Sequence, residues 1–102
     1  MTAELIVRAI KKANQSICKY KISAMGFDRK GNFIGCAMNT PRFSRYGGGN
    51  HAEMNLMSQY GSKLKTIVIC RTNSHGELLP IDPCDTCRGK AEELGIKIVS
   101  IG

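Results

Sequence analysis

The sequence predicts an α/β protein, a three-layer α/β/α sandwich built on one mixed sheet. Three segments are predicted to be helices, one from apolar residues at helical spacing and two from their start and stop residues, and four others are predicted to be strands. The two kinds of segment interleave in the order α-β-β-α-β-α-β, which is typical of helices packed on both faces of a sheet. Glycine, proline and asparagine lie between them, where turns are expected.

The length of the chain predicts one domain, residues 1–102. Two separate cores would have about 50 residues each, near the lower limit for independent folding. The longest apolar runs are far shorter than the roughly 20 residues of a membrane span. The first four residues carry an acid and lack the basic region of a secretory signal. We therefore expect a cytoplasmic protein with no membrane partner.

The first half of the chain predicts a helix followed by a hairpin. Apolar residues at three- and four-residue steps indicate an amphipathic helix over 3–17, with Thr2 as a candidate cap at its start. The period changes to two over 18–25, which indicates a strand. Residues 28–32 have turn composition and precede a second strand, 33–38, so the two strands form a hairpin.

The middle of the chain predicts a loop, a helix and a buried strand. Residues 40–50 contain a proline and three consecutive glycines, a loop composition. A helix over 51–60 ends at Gly61. The apolar run within 65–71 fits a strand that is covered on both faces.

The last part of the chain predicts one more helix and strand after a loop over 72–82. The helix occupies 83–94, with Asp82 as N-cap, a proline in its first turn and Gly95 at its C-terminus. Residues 96–101 form the last strand. The chain stops there, which leaves an unpaired sheet edge, and proteins normally cover such edges. We therefore expect a homo-oligomer or another partner on this edge.

The net charge of +7 is unevenly distributed. Residues 1–45 hold nine of the fifteen basic side chains and only two acids, whereas the rest of the chain is neutral. A one-sided positive field suits phosphate-bearing ligands, either nucleotides or nucleic acid. A solvated basic face that aids solubility explains the same charges, and composition does not separate the two interpretations.

Five cysteines, an odd number, do not indicate a secreted disulfide framework, so a reducing compartment is expected. Cys18, Cys36 and Cys70 lie among apolar residues and are predicted to be small core side chains.

Two short motifs carry the candidate chemistry: His51-Ala52-Glu53 and Pro83-Cys84-Asp85-Thr86-Cys87, each at a helix start. Cys84 and Cys87 are three residues apart and so share one helix face. The positive end of a helix favours thiolates, which bind Zn²⁺ together with histidine nitrogen. Three protein ligands leave a position for water, and Glu53 is a candidate proton acceptor beside it. Alone, the cysteine pair also fits a redox pair or half of a structural zinc site, and His51 also fits a surface or capping role.

At these residues the sequence resembles the zinc-dependent cytidine deaminase superfamily, whose signature is His-x-Glu followed by Pro-Cys-x-x-Cys. The resemblance covers nearly the whole chain, because the order of elements agrees, and it implies a cytidine deaminase-like fold that is shortened after the fourth strand. It also implies Zn²⁺ bound by His51, Cys84 and Cys87, with Glu53 as proton shuttle. Asn39 matches in position an asparagine that holds the nucleoside, and the backbone amides of Ala52 and Cys84 are implied to face the substrate.

The resemblance implies hydrolysis: an activated water attacks the amidine carbon of the base and ammonia leaves, so that cytosine becomes uracil or adenine becomes hypoxanthine. His51-Ala52-Glu53-Met54-Asn55-Leu56 is similar to deoxycytidylate deaminases, and the tail resembles both that branch and the tRNA adenosine deaminases. The long 72–82 segment is closer to free cytidine deaminases and to deaminases of bacterial toxins. The branch therefore stays open.

Three functions follow from these motifs. The first is deamination of a cytosine-bearing nucleoside or nucleotide such as dCMP, with Arg42 and Arg45 as candidate phosphate partners. The second is deamination of cytosine or adenine in single-stranded DNA or RNA, supported by the basic first half of the chain and by aromatic residues in the 40–50 loop. The third is a non-catalytic, zinc-stabilised module that binds nucleotides, against which the presence of Glu53 argues.

Overall fold

A computed structural model describes residues 3–18, 20–41 and 49–101. Its helices are α1 (Ala3–Asn14), α2 (Ala52–Tyr60) and α3 (Asp85–Leu94), and a 3₁₀ turn follows α2 at Gly61–Lys63. Its longer strands are β1 (Lys21–Phe27), β2 (Phe33–Met38), β5 (Thr66–Thr72) and β7 (Lys97–Ile101). Three two-residue strands complete the set: β3 (Thr40–Pro41), β4 (Gly49–Asn50) and β6 (Leu78–Leu79).

The main sheet is mixed, as predicted. β1 pairs antiparallel with β2 on one side and with β5 on the other. β7 runs parallel to β5 along most of its length, and β6 pairs antiparallel with the last two residues of β5. β3 and β4 form a separate two-stranded ribbon. Within the described residues β5 is the only strand that pairs with β7, which agrees with the expected open edge.

Helices cover both faces of this sheet, which confirms the three-layer prediction. Small alanines of α1 pack against Met25, Val68 and Cys70 on one face. On the other face Leu56 of α2 and Ala91 of α3 belong to the same core cluster as Ile67 of β5. Because both faces are covered, the central residues of β1 and β5 are buried regardless of alternation.

Several boundaries differ from the sequence prediction. α1 ends at Asn14 rather than at residue 17, and Ile17 is 80% exposed. The hydroxyl of Ser16 donates to the backbone oxygen of Asn39, which holds the chain outside a helical path. β1 begins at Lys21, not at residue 18. The buried side of α1 consists of Ala9 and Ala13, because small side chains let the helix lie close to the sheet.

The 72–82 segment is more ordered than the predicted loop. Leu78–Leu79 returns as β6 and pairs with Arg71 and Thr72 of β5. The N-cap of α3 is Cys84 rather than Asp82, because the Cys84 sulfur accepts the N–H of Cys87. Two predicted helix stops are confirmed: Gly61 and Gly95 both have positive φ, at 52° and 69°.

The start of α2 lies at one particular end of the sheet. The side-chain amide of Asn55, in the first turn of α2, donates to the backbone oxygen of Met38 at 2.9 Å. Met38 ends β2 and pairs with Ser23, which in turn pairs with Cys70 near the end of β5. We call this the site end of the sheet. No described helix is both long and apolar enough to cross a membrane.

Candidate metal centre

The starts of α2 and α3 bring three potential metal ligands together. His51 precedes α2, and its Nδ1 lies 3.2 Å from Sγ of Cys84 and 3.3 Å from Sγ of Cys87. One ligand atom from each residue lies within 4.8 Å of the other two. The structure thus assembles the three residues that the sequence motifs single out, although 33 or more residues separate His51 from the cysteines.

Local backbone geometry explains this arrangement. His51 and Cys84 are the N-caps of their helices, both extended, with φ of −71°. One turn of α3 then carries Cys87 onto the same face as Cys84. N-cap positions usually hold Ser, Thr, Asp or Asn, whose oxygens satisfy the first helical N–H groups. Here the sulfur of Cys84 takes that place weakly, at 3.4 Å from the Cys87 nitrogen, and the His51 side chain makes no capping bond.

The Glu53 carboxyl group is buried beside the sulfurs. Glu53 lies in the first turn of α2 and is only 3% exposed, and Cys87 is fully buried. Burial raises the pKa of the Cys87 thiol, and the nearby Glu53 and Cys84 raise it further. Three groups that carry negative charge when ionised therefore lie close together, Glu53 and Cys87 buried and Cys84 half-buried. A bound cation would remove this repulsion and hold both sulfurs as thiolates.

The donor set fits Zn²⁺. Zinc binds nitrogen at 2.0–2.1 Å and sulfur at about 2.3 Å, which for a tetrahedral ion places nitrogen and sulfur about 3.5 Å apart. The observed separations of 3.2 and 3.3 Å are close to this value. Within the described part of the chain, the cluster has three members and no fourth protein donor. His75 does not belong to it: its side chain is exposed, and its backbone N–H bonds to Asn73.

The candidate substrate residues have different placements. Asn39 lies at the site end, where its side-chain oxygen accepts the N–H of Ile22 and its NH₂ group donates to the backbone oxygen of Tyr20. Ala52 is the first residue of α2 and is fully buried. Arg42 and Arg45 lie outside the described residues.

Sequence reasoning assigned no structural role to Asn55. Its NH₂ group ties the first turn of α2 to the end of β2 and also lies 3.5 Å from the Thr40 hydroxyl. This contact holds the helix that carries His51 and Glu53 against the sheet. The available signal was a polar amide two positions after Glu53, among residues that are otherwise apolar.

The fold and this site together define the class of zinc-binding nucleobase deaminases, in which a histidine, two cysteines and a nearby glutamate lie at two helix starts. More particularly, the chain belongs to the family described as the cytidine and deoxycytidylate deaminase zinc-binding region, which matches residues 2–102. No curated protein matches the chain by sequence.

Solved structures show the same fold at low sequence identity. Cytidine deaminase from Mycobacterium leprae is 19% identical with a TM-score of 0.67, and the match covers 98% of this chain and 89% of that one. Cytidine deaminase from Burkholderia pseudomallei is 22% identical with a TM-score of 0.66, over 99% and 87%. The dCMP deaminase of cyanophage S-TIM5, in apo form, is 19% identical with a TM-score of 0.52, over 99% and 100%. These comparisons confirm the predicted fold and family.

Proposed function

We propose that this protein is a zinc-dependent hydrolytic deaminase that converts a cytosine-bearing nucleoside or nucleotide, such as dCMP, to the uracil form with release of ammonia. One observation carries the proposal. The nitrogen of His51 lies within 3.3 Å of both cysteine sulfurs, and the buried carboxyl group of Glu53 lies beside them.

Each of these residues has a role in the proposed reaction. His51, Cys84 and Cys87 hold the zinc ion, which when bound makes a water molecule acidic near neutral pH. Glu53 accepts one proton from that water and delivers it to the ring nitrogen of the base. It then carries a second proton, from the hydroxyl group added to the base, to the departing amine, so that the C–N bond breaks, the carbonyl forms and ammonia leaves. Burial of Glu53 keeps its carboxylate close to the reacting atoms. The backbone amides of Ala52 and Cys84 face the substrate.

The same observation argues against a non-catalytic, zinc-stabilised module. A structural zinc site is normally closed by four protein ligands, whereas three are present among the described residues. A buried carboxyl group beside anionic sulfurs also costs stability. A catalytic site needs such a carboxylate to transfer protons, whereas a zinc ion that only supports the fold does not.

A second candidate substrate is single-stranded nucleic acid. A groove with a volume of about 890 Å³ lies between α1 and β2, and its lining includes Arg8, Lys11, Lys12 and Phe33. Such a groove suits a phosphate backbone with one stacked base. It lies on the α1 face, however, and the candidate metal centre lies on the α2 and α3 face. A strand would have to pass around a sheet edge to reach both, so the free nucleotide remains the first proposal.

The test is an ammonia-release assay on purified, zinc-loaded protein. The substrates are dCMP, deoxycytidine, cytosine, adenosine and a single-stranded oligonucleotide. Glu53→Gln keeps the size of the side chain and removes the proton-accepting charge, and Glu92→Gln is the matched control on an exposed site of α3. We expect Glu53→Gln to lower turnover by about 10²–10⁴-fold and Glu92→Gln to leave it unchanged.

Each outcome discriminates between the functions. Turnover that survives Glu53→Gln removes Glu53 from the mechanism. A wild-type protein that binds one zinc ion per chain and turns over no substrate supports the non-catalytic module. Turnover of the oligonucleotide alone, with binding that weakens steeply as salt is raised, supports the nucleic-acid substrate.

We further propose a homo-oligomer and a cytoplasmic location. The outer edge of β7 has no strand partner among the described residues, and Val99 on this strand is 39% exposed. The odd number of cysteines supports a reducing compartment. Light scattering on a sizing column tests the first point, and a monodisperse monomer contradicts it.

A further inference from the structure

We propose that Arg71 binds the phosphate group of the substrate and thereby favours a nucleotide over a nucleoside. The inference rests on the proposed deaminase function. Three observations support it: the position of Arg71 in the sheet, its buried Nε without a hydrogen-bond partner, and the contact of its guanidinium with Tyr20.

Arg71 lies on the same face and at the same end of the sheet as the start of α2. Ile67 and Ile69 of β5 pack in the core beneath α2 and α3. The next residue of β5 after Arg71, Thr72, donates its hydroxyl to Asn14 of α1 on the opposite face. Because side chains alternate along a strand, Arg71 projects on the α2 and α3 face. Its Cα partner on β1 is Ile22, at the site end.

The hydrogen-bonding capacity of Arg71 is incompletely used. Its Nε is buried and has no hydrogen-bond partner. A buried donor without a partner is uncommon and destabilising, so it calls for an explanation. The ion pair in the described part of the chain joins Lys90 to Glu93, and no carboxylate pairs with Arg71 there. A bound phosphate would give the guanidinium the anionic acceptor that its fork geometry suits.

The guanidinium is held in place by an aromatic ring. Its central carbon lies 4.5 Å from the centre of the Tyr20 ring, a cation–π contact. The Tyr20 backbone oxygen in turn accepts a hydrogen bond from Asn39. Stacking on a ring orients the cation without neutralising its charge. Asn39 therefore acts as a positioning residue for this pair.

The backbone of Arg71 is fixed on both sides. β5 is flanked by β1, through Ile22, and by β6, through Leu79. A charged group on a central strand is placed more accurately than one on a loop. Two strand spacings, about 10 Å, separate Arg71 from Met38, to which the first turn of α2 is tied. In the proposed arrangement the base lies at the metal centre and the phosphate on its sugar extends towards Arg71, at the same end of the sheet.

The test compares dCMP with deoxycytidine. We expect Arg71→Gln to lower kcat/KM for dCMP by about 10–100-fold, the value of a hydrogen-bonded charge, and to leave kcat/KM for deoxycytidine within about twofold of wild type. Arg71→Lys keeps the positive charge but loses the planar guanidinium, and its kcat/KM for dCMP should lie between those of Arg71→Gln and the wild type. Arg29→Gln, in the exposed turn at the other end of the sheet, is the matched control and should change neither substrate.

A binding measurement separates recognition from chemistry. In the Glu53→Gln background, calorimetry should show dCMP binding more tightly than deoxycytidine, and Arg71→Gln should remove this difference. A short oligonucleotide in the same experiment distinguishes a phosphodiester from the terminal phosphate of a free nucleotide.

Two outcomes overturn the inference, and a third tests the proposed function on which it rests. If Arg71→Gln lowers kcat/KM equally for dCMP and deoxycytidine, with or without a lower melting temperature, Arg71 is a structural residue. An unchanged preference for dCMP places the phosphate elsewhere. No turnover of either substrate by the wild type refutes the proposed function, and in that case binding that still depends on Arg71 keeps the phosphate site.

Discussion

The two ends of the sheet differ in how closely they follow the local rules of protein stability. At the site end, the N-caps of α2 and α3 are His51 and Cys84, residues that cap helices poorly. At the opposite end, the helices terminate at Gly61 and Gly95 with positive φ, which is favourable for glycine. At the site end, candidate metal ligands occupy the N-cap positions and stabilise the helix starts poorly. At the opposite end, the residues that end the helices stabilise the fold.

The largest expected effect is on zinc binding at the site end. Cys84→Ser places a good capping residue at the start of α3 and removes one thiolate. Zinc affinity should fall by more than about 100-fold, because even the loss of an outer partner of a metal ligand costs 10–100-fold. Competition with a chromophoric chelator measures this affinity. Cys36→Ser, a half-buried cysteine of β2 on the opposite, α1 face of the sheet, is the control and should bind zinc as the wild type does.

If Cys84→Ser retains wild-type zinc affinity, the three-ligand centre is wrong. If it loses zinc without any gain in metal-free stability, Cys84 does not lower the stability of the start of α3.

The next effect is on stability at the opposite end. Gly95 has φ of 69°, and a methyl group added there meets nothing within 4 Å. Gly95→Ala should therefore lower the free energy of unfolding by about 1–2 kcal/mol through backbone strain alone. Denaturant titration measures this change, and zinc affinity should stay the same.

Gly89 offers a matched control within the same helix. It lies in the interior of α3, and an added methyl group there is also free of contacts. Gly89→Ala should raise stability by about 0.5–1 kcal/mol, because alanine is the better helix former. The same substitution should thus have opposite signs six residues apart. Equal signs would mean that Gly95 does not require its left-handed conformation.

The sequence predicted the opposite end of the sheet more accurately than the site end. Gly61 and Gly95 were correctly predicted as helix stops, because their signal is local. Asp82 was wrongly predicted as an N-cap, because capping rules favour an aspartate over Cys84. The three candidate metal ligands, which the structure brings together, were identified through the motif and not through helix rules. Where function occupies a capping position, local propensity points to the wrong residue.

Long-range contacts explain what the sequence did not predict. β6 forms because Leu78–Leu79 pairs with the end of β5. A two-residue segment is too short to have a strand pattern of its own. Ser16 leaves the helical path because its hydroxyl meets Asn39, 23 residues away. The relation between Arg71 and Tyr20 likewise depends on the pairing of β1 with β5. In each case the partner is distant in sequence, so composition and periodicity carry no signal.

A smaller effect is expected from the other N-cap at the site end. His51→Ser should raise the stability of the metal-free protein by about 0.5–1 kcal/mol, because serine can accept the free N–H groups at the start of α2. The same change should abolish stabilisation of the protein by zinc. Thermal melting with and without zinc measures both quantities. A metal-free protein that is less stable than wild type would show that His51 supports the fold as well as the site.

The smallest effect is expected at the turn after β1, at the opposite end. The Asp28 carboxylate accepts the N–H groups of Lys30 and Asn32, both at 2.9 Å. The hydrogen bond from the Asn32 N–H lowers the pKa of Asp28 most, and the other hydrogen bonds and the Lys30 charge also hold it below its usual value. A lowered pKa in the folded state means that this stabilisation is present above the unfolded pKa and is lost as pH falls through the folded one. Asp28→Asn should therefore melt slightly below wild type at pH 7, and the difference should close below about pH 4. If the difference in melting temperature grew on acidification, the charge of Asp28 would not stabilise the turn.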